Sequence, residues 1–179
     1  MRKILIALML SAGLHAGGDL PEVQYVYADD PQTSPFYIGA GVASDYERNS
    51  YDYYDVDTGY TNLSVLAGAA VAREGSLGLA IEGRVSWSFD EYGVDAASIY
   101  LKPEIEVGKG FTTFAVIGYQ NITTYEYSYD ALGLGIGGAY LFTDYVGVQI
   151  DYIFSYASED EFGVTPEYAN LTASLIYKF

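Results

Sequence analysis

The stretch "GLAIEGRVSWSF", residues 78–89, alternates along its length between apolar side chains and small or polar ones. One face of the alternation carries Leu79, Ile81, Gly83, Val85, Trp87 and Phe89. The positions between them hold glycine, alanine, serine and the charged residues Glu82 and Arg84. A period of two residues is typical of a β-strand whose two faces meet different surroundings.

The same alternation recurs in four further segments, residues 99–107, 132–142, 146–155 and 169–179. It is less regular in 36–44 and 61–73, and the sequence leaves open which way the side chains of a strand over 111–120 face. No stretch after Phe36 has a helical period. The sequence therefore predicts eight strands and no helix.

The connections between these strands alternate in length. Tight turns are expected at 73–76, 108–110 and 143–144. Longer, polar loops rich in Asp, Glu and Tyr are expected at 45–59, 90–96, 121–130 and 156–167. An even number of strands joined alternately by turns and loops predicts an antiparallel up-and-down meander.

The composition of the two faces indicates which of them is outside. One face carries bulky residues such as Trp87, Phe142 and Ile150, whereas the other is mostly small, with charges of both signs. A small barrel has little room in its lumen, while lipid favours bulky aliphatics flanked by aromatics. A sheet in lipid must also be closed, because an edge would leave backbone groups unpaired. We therefore predict an all-β fold, an eight-stranded antiparallel up-and-down transmembrane β-barrel.

The N-terminal residues predict export. Arg2 and Lys3 precede the apolar run 4–14, and Ala16 ends a small-residue cleavage site. The run is about half of the ~20 residues that a spanning helix needs, which favours a cleaved signal peptide over 1–16 rather than a retained anchor. Residues 17–35, with three prolines, are expected to form an exposed lead-in segment, and the barrel is expected to cover 36–179.

The final strand, "LTASLIYKF" at 171–179, ends on Phe179 with Tyr177 two residues before it. Here the chain resembles the small eight-stranded outer-membrane barrels of the OmpA/OmpX type, over residues 36–179. The resemblance implies location in the outer membrane of a Gram-negative bacterium, with the turns in the periplasm and the loops outside. It also implies contact with outer-membrane lipid and lipopolysaccharide. The barrel-assembly machinery would recognise the strand that carries Leu171, Ala173, Leu175, Tyr177 and Phe179.

Pro103 departs from the expected pattern. It falls within a predicted strand that has no free edge, where a missing N–H removes a ladder hydrogen bond. We expect a bulge or an early strand end at this position.

Composition excludes several classes of function. The net charge is −16 with only 8 Lys and Arg residues, so nucleic acid is not an expected partner. The chain has no cysteine, and its single histidine, His15, lies in the predicted signal peptide. Histidine is the usual general base near neutral pH, so we expect no enzyme, and we expect no cofactor or metal site.

The predicted polar faces place charges of both signs in the lumen. These are Glu82, Arg84, Lys102, Glu104, Glu106, Asp151 and Lys178. A near-balanced set of charges in a narrow space predicts ion pairs that plug the interior, since an unpaired buried charge is costly. The alternative is a narrow gated ion channel or porin.

The expected loops 45–59 and 156–167 hold many of the remaining acids, together with several tyrosines. Such segments can contact an extracellular partner or bind divalent cations, but a solvated, repelling surface is the simpler interpretation. We therefore expect a structural or surface-interaction role. The sequence leaves open the ligand, the oligomeric state and whether the lumen conducts.

Overall fold

A computed structural model describes residues 35–51, 54–89, 93–124, 128–157 and 166–179. The expected signal peptide, all of the lead-in segment except Pro35, and parts of the four expected loops lie outside the described residues. No helix in the described ranges is long and apolar enough to cross a membrane.

The described residues form a closed antiparallel barrel in which each strand pairs with its neighbours in the chain and β1 pairs with β8. The strands are β1 (Phe36–Tyr51), β2 (Tyr54–Glu74), β3 (Leu77–Ser88), β4 (Asp95–Gly108), β5 (Phe111–Thr123), β6 (Ser128–Leu141), β7 (Val146–Ala157) and β8 (Glu167–Lys178). At the seam the Phe179 N–H donates to the Phe36 carbonyl at 3.1 Å. The predicted fold class is confirmed.

The two faces of the barrel wall are as the alternation predicts. On β3 the side chains of Ile81, Val85 and Trp87 are exposed on the outer face, and Glu82 and Arg84 are buried in the lumen. The strand whose facing the sequence left open, β5, turns Ile117 and Tyr119 outward. Its inward side chains are Phe114, Val116, Gln120 and Ile122, all buried.

The turns at one end of the barrel are tight, as expected. Gly75 between β2 and β3 has φ of 57°, and Gly110 between β4 and β5 has φ of 78°. Glycine adopts this left-handed region without the steric cost that a Cβ adds. The third turn is held by the Thr143 hydroxyl, which accepts hydrogen bonds from the N–H of Tyr145 at 3.2 Å and of Val146 at 2.9 Å.

The expected loop over 45–59 is wrong in large part. β1 continues to Tyr51, β2 begins at Tyr54, and the two strands pair up to Tyr51↔Tyr54. The backbone of this segment gains ladder hydrogen bonds from its own hairpin, which outweighs the low β-propensity of its aspartates. The other three loops are also shorter than expected, since the strands leave only residues 89–94, 124–127 and 158–166 between them.

The prediction of a bulge or an early strand end at Pro103 is also wrong. β4 runs on to Gly108, and Pro103 pairs with Leu79 on β3. On the β5 side the pairing passes from Leu101↔Ile117 to Glu104↔Phe114 without a shift in register. The missing N–H is thus accommodated by a local gap in one ladder. The bulge on this strand lies between Glu106 and Gly108.

Candidate functional site

The lumen is the part of the barrel where polar groups are concentrated. We distinguish three sets among its side chains along the barrel axis. The charged layer consists of Glu82, Arg84, Lys102, Gln149 and Asp151. The amide layer, closer to the loop end, consists of Asp45, Asn62 and Asn170. The outer cap, at the loop end, consists of Val94, Ile122, Ala131, Ala157 and Tyr168.

Arg84 on β3 joins opposite walls of the charged layer. Its Nη1 donates to Oδ1 of Asp151 at 2.8 Å, and its Nη2 donates to Oδ2 of the same carboxylate at 2.9 Å. Nη2 also donates to Oε1 of Glu82 at 2.8 Å. A forked guanidinium contact of this kind fixes orientation as well as charge. One cation therefore holds carboxylates from β3 and β7.

Lys102 on β4 completes the charged layer. Its Nζ donates to Oε2 of Glu82 at 2.8 Å and to Oε1 of Gln149 at 2.9 Å. The same nitrogen lies 4.0 Å from the centroid of the Phe114 ring, which adds a cation–π contact. Gln149 Nε2 in turn donates to Asp151 Oδ2 at 3.1 Å. Two cations and two anions are thus mutually neutralised, which is what their burial requires.

The structure brings together four of the seven charged residues predicted for the lumen, namely Glu82, Arg84, Lys102 and Asp151. Glu106 instead pairs with Arg73 at 3.0 Å near the turn end, where both side chains are about two-fifths exposed. Glu104 and Lys178 form no ion pair with any of the described residues. The sequence did not predict Arg73 as the partner of Glu106, because the alternation along β2 shifts at the bulge between Ala70 and Ala72.

The amide layer is built around Asp45 on β1. Its carboxylate accepts hydrogen bonds from the side-chain amides of Asn62 on β2 and Asn170 on β8. Thr172 donates to Asn170 Oδ1 at 2.5 Å and accepts from Arg84 Nη1 at 3.2 Å. The amide layer and the charged layer are therefore linked by one chain of hydrogen bonds.

The outer cap closes the loop end of the lumen with apolar side chains. Its members lie on the inward faces of β5, β6, β7 and β8, and Val94 comes from the segment before β4. Tyr60, Ala96 and Tyr129 pack against them. Glu47 on β1 accepts hydrogen bonds from the hydroxyls of Tyr60 and Tyr168, each at 3.3 Å.

Neither the outer cap nor the amide layer was predicted from the sequence, because Asp45 and Glu47 were assigned to a surface loop. Both side chains point into the barrel, and Glu47 is 8% exposed. The alternation could have indicated the inward facing of both acids, because it continues past Ser44. Tyr46, which lies between the two acids in the chain, is exposed on the outer face. Within the described ranges, no group of three or more His, Cys, Asp or Glu side chains could hold a metal ion.

The residues predicted as an assembly signal share the outer face of β8. Leu171, Leu175, Tyr177 and Phe179 are about half-exposed there, and Ala173 is exposed on the same face. The Tyr177 ring lies 5.3 Å from that of Phe179 and 6.3 Å from that of Tyr145 on the adjacent turn. These rings form an aromatic cluster at the turn end of the outer face, where a membrane interface favours such side chains.

Solved structures share this architecture. The attachment invasion locus protein Ail of Yersinia pestis matches with a TM-score of 0.54 and 14% identity, over 83% of this chain and 100% of that one. The N-terminal β-barrel domain of Pseudomonas aeruginosa OprF matches with a TM-score of 0.52 and 15% identity, over 83% and 100%. The chain has the fold of the small eight-stranded outer-membrane β-barrels.

A third outer-membrane barrel, OprG of Pseudomonas aeruginosa, matches with a TM-score of 0.51 and 10% identity, over 82% of this chain and 96% of that one. The resemblance to the OmpA/OmpX type is thereby confirmed at the level of the fold. No protein-family model and no curated protein sequence matches the chain.

Proposed function

We propose that this chain is an integral protein of the bacterial outer membrane that acts at the cell surface, with a lumen closed to solutes and no catalytic role. The belt of exposed apolar side chains around the barrel supports insertion in a bilayer. The tight turns would face the periplasm and the longer connections the outside, as in barrels of this fold. The only histidine of the chain is His15, so an acid–base mechanism would lack its usual residue.

The observation that carries the surface role is the length of the β1–β2 hairpin. β3 pairs with β2 only as far as Asn62↔Ser88, and β8 pairs with β1 only as far as Arg48↔Glu167. β1 and β2 continue to pair with each other up to Tyr51↔Tyr54. The hairpin therefore extends beyond its neighbours. An extension of this kind adds nothing to the membrane-spanning wall, but it projects to where a partner outside the membrane can contact it.

A closed lumen is the second part of the proposal. The charged layer spans the interior from β3 and β4 to β7, and small barrels of eight strands have room for little besides side chains. The alternative, a narrow gated channel, would require this buried network to separate, which would expose unpaired charges. The partners proposed for the rest of the surface are outer-membrane lipid, lipopolysaccharide and, for β8, the assembly machinery.

The surface role is tested by shortening the hairpin. Replacing residues 50–55 by Asn-Gly, a favoured two-residue hairpin turn, removes the tip and keeps Glu47 and Tyr60 in place. Bacteria that display the shortened barrel should lose attachment to glass and cell–cell aggregation, measured with and without added Mg²⁺, while the amount of barrel in the membrane is unchanged. A matched control replaces the turn residues Thr143 and Asp144 by Asn-Gly at the opposite end and should retain both properties. Unchanged attachment by a well-folded shortened barrel would contradict the surface role assigned to the hairpin.

A further inference from the structure

The outer cap is built differently from the charged layer, although both lie across the same lumen. Val94 is 4% exposed and Ile122 is 2% exposed, and neither residue belongs to the charged or amide layers. Together with the inward residues of β6, β7 and β8 they fill the loop end with apolar groups. An apolar constriction in a pore excludes ions because it excludes water.

Val94 is the one member of the outer cap that comes from a connection between strands. It precedes β4, and its carbonyl accepts a hydrogen bond of 2.7 Å from Nδ2 of Asn62 on β2. Asn62 is fully buried, and its Nδ2 also donates to Asp45. The amide layer thus anchors Val94, just before the start of β4, inside the mouth of the barrel.

A second set of hydrogen bonds holds the opposite side of the outer cap. Glu47 on β1 accepts hydrogen bonds from the hydroxyls of Tyr60 on β2 and Tyr168 on β8. Neither the hydrogen bond to Val94 nor those to Glu47 involve the ion pairs among Glu82, Arg84, Lys102 and Asp151. The outer cap is therefore held by contacts other than these ion pairs, and the amide layer connects the two through Thr172 and Asn170.

The outer cap and the charged layer lie at different depths. Along β2, Tyr60 packs on the outer cap, and Leu66, six positions further on, is paired with Arg84. Six residues span about 20 Å along the strand, which at a tilt of about 40° corresponds to about 15 Å along the barrel axis. Ser64 lies between them on the inner face and is 1% exposed.

We propose that the outer cap is a second closure of the lumen, independent of the charged layer, so that removing either one leaves the barrel closed. This inference rests on the proposed closed lumen. It adds that the interior has two closures in series, with Asn62 as the positioning residue that anchors Val94. Opening the pore would require both closures to be displaced.

The test combines two sets of substitutions with a cysteine reporter. The charged-layer variant carries Glu82→Ser, Arg84→Ser, Lys102→Ser and Asp151→Ser, which removes two positive and two negative charges and leaves none of the four unpaired. The outer-cap variant carries Asn62→Ala, Val94→Gly and Tyr168→Ala. The reporter is Ser64→Cys, which adds the only cysteine of the chain.

In micelles, a hydrophilic maleimide should label the reporter at least tenfold faster in each variant than in the otherwise unmodified chain, because each variant opens one side of the region around Ser64. A control cysteine at the exposed position Thr123 should label rapidly in every background. In planar bilayers only the protein that combines both sets should give discrete conductance steps. If the fourfold charged-layer variant does not fold, Arg84→Ser with Asp151→Ser replaces it, because this pair makes the contact that crosses the lumen from β3 to β7.

If the charged-layer variant alone conducts and the unmodified chain does not, the second closure is overturned and the proposed function stays intact. Rapid labelling of the reporter in the otherwise unmodified chain would also overturn it. Conductance by the unmodified chain is a different result, since it would contradict the closed lumen on which the inference rests.

Discussion

Nη1 of Arg84 lies 2.8 Å from Oδ1 of Asp151, although the two residues are 67 positions apart in the chain. β3 and β7 are not neighbours in the sheet, so the contact crosses the lumen. Barrel closure is what brings the guanidinium and the carboxylate together, and their pairing is what makes their burial tolerable.

Removing one partner of this pair should cost more than removing both. Asp151→Ala leaves the charged layer with two cations and the single anion Glu82, and we expect a loss of about 3 kcal/mol in the free energy of unfolding. Arg84→Met combined with Asp151→Leu leaves the Lys102–Glu82 pair intact and should cost less than the single change. Urea unfolding in lipid vesicles measures both. A double variant less stable than Asp151→Ala would show that the pair acts mainly through net attraction.

The outward face of the barrel should tolerate charge according to depth. Ile136 lies midway along the outer face of β6 and is 70% exposed, whereas Phe142 follows the strand at the turn end. Ile136→Arg should destabilise the inserted barrel by about 2–4 kcal/mol, and Phe142→Arg by about 0–1 kcal/mol. The same unfolding experiment compares them. Equal costs at the two depths would contradict the assignment of this face to lipid.

Alternation alone was enough to predict the fold and most of the wall. Each residue of a strand faces opposite to the next, so the sequence alone places the charges of Glu82, Arg84, Lys102 and Asp151 in the lumen. Which of them meet depends on register and tilt, since these decide which inner positions lie across from one another. Glu104 and Lys178 illustrate the limit, because they share the polar face and join no ion pair among the described residues.

Composition led to a wrong prediction in one place and gave no prediction in another. The acids and tyrosines of 45–59 are typical of a loop, yet Asp45 and Glu47 are inner-wall residues whose polar partners come from β2 and β8. The apolar residues Phe114 and Val116 are buried in the lumen, on the strand whose facing the sequence left open. The inner face of a narrow barrel can hold either kind of side chain, so polarity indicates the facing of a strand only where its inner face is polar.

Replacing Gly41 even by alanine should destabilise the barrel. A Cβ at this inner position of β1 would lie 2.0 Å from the carbonyl oxygen of Ala173 and 2.5 Å from the Cα of Ser174. Gly41→Ala must therefore push β1 and β8 apart at the seam of the barrel, with an expected cost of about 1–3 kcal/mol. Gly83→Ala is the matched control, because its Cβ would have no neighbour nearer than 3.9 Å. A stability for Gly41→Ala equal to that of the control would contradict the close packing of the seam.

Phe179 should matter more for assembly in cells than for stability. Its N–H closes the seam to Phe36, and its half-exposed ring packs against the ring of Tyr177 at the turn end. Deleting Phe179 should lower the amount of folded barrel in the outer membrane severalfold and change refolding in micelles little. Phe142→Ala, which removes another ring from the same end, is the control for lost aromatic area. If both variants lower the amount of folded barrel in the outer membrane equally, the cause is the lost aromatic area and not recognition of the terminus.

Planar-bilayer conductance of the purified, refolded and unmodified barrel is the most direct test of the claim that the lumen is closed. With the charged layer and the outer cap both in place, insertion should give no discrete conductance steps in symmetric salt, at voltages of either sign. Insertion is verified in the same preparation by protection of the strands from added protease. Reproducible steps of uniform size from the unmodified chain would contradict the closed lumen and support the gated channel instead.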